Sequence, residues 1–332
     1  MTMRGFWGLL LLCAWVPAHA NTLVEQARSA GVLDAETALE YQVYAVQAPD
    51  QLPAEYRRAP EMPVCGTPAV AAAQHAWSSL RPATRQRLAK VLTRPFLTQS
   101  RLTDHGHFRV HYDLTGRDGV DAGDADGNGV PDYVDSVAGV ADRVWDLEVD
   151  ELGYNPPPSD QVLGGGPEYD LYIVQLGNGG AYGYTYPEEE GYTSHSYIEI
   201  DNDYTDFIYK ETRGLEALKV SLAHEFFHAI HFGYYEAPDV SWWREASATW
   251  MEEVAYPEAD DYLQYLDSFL MYPDRSLNSG GGLLHRLPRV RGIAVRALPR
   301  PAPGAARRPA HVGGAGATAR REHGELRSGP EA

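Results

Sequence analysis

Between Gly214 and Tyr234 the chain reads GLEALKVSLAHEFFHAIHFGY, and few folds accommodate such a run. Leu215, Leu218, Leu222, Phe226, Ala229 and Ile230 recur at three- and four-residue steps, which predicts one apolar helix face. Gly233 is expected to stop the helix, because glycine takes the left-handed conformation past a last turn. Within the run lies His224-Glu225-Phe226-Phe227-His228, an HExxH pattern. Residues four apart stack on one helix face. Two imidazoles there reach one zinc ion at about 2.0–2.1 Å per nitrogen. Glu225 projects beside that position, where it can take a proton from water and pass it to a leaving amine. Five residues of this kind also arise by chance on amphipathic helices, so the pattern needs a third ligand.

Ser241 to Tyr256, SWWREASATWMEEVAY, supplies a candidate. It predicts a second helix closed by Pro257. A catalytic zinc takes three protein ligands and keeps one position open, and two histidines with one glutamate form such a set. An antiparallel second helix would deliver Glu245, and the small residues Ala246, Ser247 and Ala248 would allow close approach. Glu252, two turns on, is either a partner for a ligating histidine or, like Glu253, a solvent-facing acid.

HEFFHAIHFGY followed by WWREASATWMEE resembles the glutamate-zincins (gluzincins), and more closely a group of secreted bacterial metalloproteases common in myxobacteria-like organisms. The resemblance covers roughly Phe108 to Tyr272. It implies an α+β, zincin-like catalytic domain with a mixed sheet, with His224, His228 and Glu245 as zinc ligands and Glu225 as catalytic base. Gly233 and His231 do not fit the metzincin spacing. Glu245 lies in ExxA rather than the NExxSD of thermolysin-type enzymes.

DADGNGVPDYVD, Asp124 to Asp135, is the second motif. Asp124, Asp126, Asn128, Asp132 and Asp135 occupy oxygen-ligand positions of a calcium loop, with the Val130 carbonyl at position seven and Gly129 at the sharp turn. Aspartate at position twelve resembles dockerin and thrombospondin-type repeats. The expected role is structural, and the competing reading is an acidic surface turn without metal. A helix is expected from Pro131 to Leu152, starting on a proline suited to a first turn. Phe108–Leu114, Tyr169–Leu176 and Ser196–Ile200 read as strands. Gln74–Leu92 and Glu258–Met271 read as helices. Gly177–Gly183 reads as a glycine-rich turn that lacks the lysine of a phosphate loop. His105, His107 and His111 are scattered and read as strand and loop residues.

The first 20 residues have a basic start, an apolar run and an Ala-His-Ala cleavage site, so they read as a signal peptide. That implies secretion, extracellular or periplasmic. Residues 21–100 read as a propeptide or an N-terminal helical extension. Residues 101–283 form the expected catalytic domain. After the signal, Cys65 is the one remaining cysteine. Its surroundings, PVCGTP, resemble the cysteine-switch segment of matrix metalloproteases, in which a thiolate fills the open zinc position. The competing reading is half of a disulfide or a buried thiol.

The tail 284–332 holds ten Arg against three Glu and no aromatic residue. Such a stretch buries no core and is expected to be disordered. It is either a basic tail or the product of a reading-frame shift near Leu283–Arg286. The net charge of −18 argues against nucleic acid as a partner, and no segment past the signal is apolar enough to cross a membrane. The expected function is a secreted zinc endopeptidase acting on protein or peptide. The alternatives are a non-catalytic, calcium-stabilised adhesion module, or an inactive truncated relative of an active protease.

Overall fold

A computed structural model describes residues 21–57, 64–235 and 240–264. The signal segment and the basic tail lie outside these residues. The architecture is mixed α+β, built on one six-stranded mixed sheet in the order β1-β5-β6-β4-β3-β2. The strands are β1 (Val64–Cys65), β2 (Gln99–Leu102), β3 (Phe108–Tyr112), β4 (Tyr169–Val174), β5 (Ala181–Pro187) and β6 (Ser196–Asp201). β3, β4 and β6 run parallel, β2 is antiparallel to β3, β5 is antiparallel to β6, and β1 adds parallel to β5.

Alternation along the strands separates two faces, because successive side chains point to opposite sides. One face presents Phe108, Val110, Leu171, Ile173, Ile198 and Ile200 to α5 (Asp132–Trp145) and α6 (Gly214–Tyr234). Phe226 is the pivot of this core, with ring centroids 5.1 Å from Phe108, 5.6 Å from Trp145 and 5.8 Å from Tyr169. The other face carries Tyr172, Tyr184, Tyr186 and Tyr197 and is covered from the N-terminal side by Val46, Ala69 and Val70. The helices α1 (Thr22–Ser29), α2 (Ala35–Gln47), α3 (Thr67–His75) and α4 (Pro82–Leu88) share a further cluster around Val24, Val43, Leu80 and Leu88. Arg94 ties the layers together through Asp160, Asp170 and Glu188, each at 2.5 Å.

Several expectations need correction. Helix α6 passes through Gly233 and ends at Tyr234. From Ala217 on it is buried on nearly every side rather than along one stripe, and Leu215, expected on the apolar face, is 48% exposed. The helix expected over Gln74–Leu92 is broken by a 3-10 turn at Trp77–Ser79, ahead of Pro82 at the start of α4. The helix expected to Leu152 is α-helical only to Trp145 and continues as a π-helical turn, Asp146–Glu151. The glycine-rich segment closes after a turn at Gly177–Gly179, and from Ala181 the chain is a strand. Of the helix expected over Glu258–Met271, the chain makes turns to Tyr262 and is helical at Leu263 and Gln264, and residues beyond 264 lie outside those described. Strand β2 spans the expected boundary at residue 100, and β1 places part of the N-terminal region in the sheet itself.

Candidate metal centre

Helix α6 sets His224 and His228 one turn apart in the interior, 2% and 0% exposed. Helix α7 (Ser241–Ala255) brings Glu245 to them. Its Ala246 and Ala248 are buried, which keeps the backbones close. The two imidazole Nε2 atoms lie 3.0 Å apart. Glu245 places Oε1 3.1 Å from His228 Nε2 and Oε2 3.6 Å from His224 Nε2. Cys65 joins them, with Sγ 3.6 Å from His228 Nε2. The ligand atoms of Cys65, His224, His228 and Glu245 all lie within 4.8 Å of one another, a cluster able to hold a metal ion.

The donor set fits zinc. Nitrogen ligands at tetrahedral corners stand about 3.3 Å apart, and a nitrogen–sulfur pair about 3.6 Å apart, given the usual bond lengths. Both spacings are close to those found. The residues that sequence pattern brought forward as ligands thus come together, and so does the cysteine.

Around them the electrostatics are tightly set. His224 Nδ1 lies 2.5 Å from Glu252 Oε1. The ring therefore donates from Nδ1, which turns Nε2 toward the cluster. Glu252 is buried at 4% exposure, so the solvent-facing reading of that residue is overturned; Glu253 is buried too. Burial works against charge on His224, but its hydrogen bonds with Cys65, Glu245 and Glu252 hold its pKa well above the usual histidine value. Burial likewise works against charge on Glu245, yet His228 and His224 keep its carboxyl far below the usual carboxylate range. The Cys65 thiol is pushed up, first by burial and then by the charges of Glu225 and Glu245. His231 sits apart, bonded to Ser247 Oγ at 3.0 Å. Burial and the neighbouring His228 hold its pKa well below normal.

Glu225 is 1% exposed. Its Oε2 accepts from Thr67 Oγ1 and lies within reach of Thr185 Oγ1, each at 2.8 Å. Gly183 makes room for it, since a Cβ there would come within 2.7 Å of Glu225 Cγ. Sequence pattern did not single out Thr67 or Thr185, because neither lies near the motif in the chain. Nor did it single out Glu148. That residue sits in the π-helical turn, fully buried, with neither carboxylate oxygen hydrogen-bonded among the described residues. Burial pushes its pKa well up, and only the charge of His224 opposes this.

In the acidic loop, carboxylate oxygens of Asp124, Asp126 and Asp132 lie within 4.8 Å of one another. Asp124 accepts from the backbone of Gly127, Asn128 and Gly129. Val130 donates its N–H to Asn128 Oδ1. Asp135 is not part of that group: it pairs with Arg101 and accepts from Asn128 Nδ2. Among the described residues His105 pairs with Asp146 and His111 with Asp170, away from the metal cluster. No described helix is long and apolar enough to cross a membrane.

No family model matches this chain, and no curated protein or solved structure matches it.

Proposed function

We propose that the protein is a gluzincin-like zinc endopeptidase, exported and acting on protein or peptide. The single observation that carries this reading is the convergence of His224, His228 and Glu245 beside a buried, hydrogen-bonded Glu225. A zinc ion held by His224, His228 and Glu245 would supply Lewis acidity, polarising a peptide carbonyl and easing the ionisation of water. Glu225 takes the proton from the attacking water and returns it to the departing amine. Thr185 steadies the Glu225 carboxylate from β5, and Glu252 fixes the His224 ring. Asp124, Asp126 and Asp132 support a structural calcium site that anchors the start of α5.

One observation favours a second reading. Cys65 brings the donor count to four, the number typical of a closed structural zinc site. On that reading the protein is a non-catalytic module. Glu225 separates the two, because a structural site has no use for a base. The test measures zinc content and casein hydrolysis in Cys65→Ser protein, with and without Glu225→Gln. Glu225→Gln should keep its zinc and lose hydrolysis by a factor of about 10² to 10⁴. Hydrolysis at an undiminished rate would end the catalytic role of Glu225.

A further inference from the structure

The same four donors cannot serve both as a filled tetrahedron and as a centre with a position open to substrate. One of them has to leave, and the structure singles out which. His224 and His228 are rooted in one long buried helix and Glu245 in a second. Cys65 belongs to β1, a two-residue strand at the edge of the sheet whose pairing with β5 shifts register between Val64 and Cys65.

The short segment around Cys65 touches three separate parts of the centre. Cys65 Sγ stands among the ligand atoms. Two residues on, the Thr67 hydroxyl donates to Glu225 Oε2 at 2.8 Å while accepting from the backbone N–H of Thr185 at 2.8 Å. Between them Gly66 donates to Gly183 O at 3.3 Å. A Cβ on Gly66 would fall 1.6 Å from a Tyr184 ring carbon, so only glycine lets the segment lie this close to β5. β1 therefore covers the one edge of β5 that β6 does not, where an extended chain could otherwise pair through its backbone.

We propose that Val64–Thr67 is a built-in inhibitor of the metal centre, in which Cys65 fills the fourth coordination position, Thr67 occupies the base and β1 occupies the β5 edge. The inference rests on the peptidase reading above. Release of the segment frees all three at once: the position for the substrate carbonyl, the Glu225 oxygen and the strand edge.

The test uses the full chain loaded with cobalt(II), with Cys65→Ser, Cys65→Ala and Cys65→Ser/Thr67→Val beside the wild type. Wild-type protein should show thiolate-to-cobalt charge-transfer absorption, and all three variants should lose it. Acetohydroxamate, a small metal-binding ligand, should perturb the cobalt spectrum of the variants at concentrations at least about tenfold lower than in wild type. Zinc-loaded variants should hydrolyse casein at least about tenfold faster than wild type, the double variant fastest.

Absence of the charge-transfer band in wild type overturns the proposal, since Cys65 is then no ligand. Equal acetohydroxamate affinity in wild type and variants also overturns it. Tighter acetohydroxamate binding without any casein hydrolysis supports the block at the metal and sinks the peptidase reading instead.

Discussion

The two faces of the sheet are built from different chemistry although the same strands supply both. The α5–α6 side is a large core in which Phe, Val, Leu, Ile and Ala outnumber the tyrosines buried among them, Tyr169 and Tyr204 included, and it grips the helix that holds both histidines. The N-terminal side is a layer of tyrosines with carboxylates among them: Asp170 is bonded to Arg94 and His111, and Glu199 lies under Tyr186. The first face fixes the candidate metal ligands in place. The second is suited to a covering that has to fit without being fused, because tyrosines tolerate both burial and water. Buried acids make the same point: among the described residues Glu199 on the tyrosine side accepts only from Tyr186 Oη, at 3.3 Å, whereas Glu252 beside the metal cluster has an imidazole at 2.5 Å.

Phe226→Ala strikes the apolar face at its centre and should have the largest effect. Truncating a fully buried aromatic that packs on Phe108, Trp145 and Tyr169 should cost about 3–5 kcal/mol of unfolding free energy. Chemical denaturation measures it. A loss under about 1 kcal/mol would mean that this face is not the firm one.

The tyrosine face should respond to pH instead. Burial raises the Glu199 pKa from 4.5 to about 8. A raised carboxyl pKa means that the folded state holds its proton longer than the unfolded chain does. The benefit is full below about 4.5 and is lost as pH climbs through about 8. Glu199→Gln should therefore behave like wild type near pH 4.5 and be more stable above pH 8, by a few kcal/mol. Denaturation midpoints of both proteins across that range would show it. Parallel curves would place the Glu199 carboxyl in a wetter setting than its burial indicates.

The apolar side was far more legible in the sequence than the tyrosine side. His224, His228 and Glu245 follow from helical spacing, and strands β3, β4 and β6 follow from runs of β-formers, because each signal is local. Strand β5 was hidden because glycines at 179, 180 and 183 read as a turn. One of them, Gly183, is small so that Glu225 fits above it. Thr67 meets Glu225 across 158 residues, and no local pattern announces such a contact. For Glu252 the sequence left two readings open, a partner for a ligating histidine or a solvent-facing acid, and only the placing of His224 beside it decides for burial. Cys65 stood out because the chain past the signal segment has no second cysteine and because of its PVCGTP surroundings.

Glu252 offers the finest test of the contrast. It is as buried as Glu199, but its charge is used: it accepts from His224 Nδ1 and keeps Nε2 free to face the metal cluster. Replacing a carboxylate in that position with an amide preserves shape and removes the charge that makes the imidazole a stronger donor. Glu252→Gln should weaken zinc binding about 10- to 100-fold, or roughly 1.4–2.7 kcal/mol. Competition against a chromophoric chelator reads this directly, on metal-free protein titrated with zinc. The sign is opposite to that expected at Glu199, where losing the charge helps. Unchanged zinc affinity in Glu252→Gln would mean that the His224 ring is oriented by helix packing alone, and that the metal side uses its buried acids no more than the tyrosine side does.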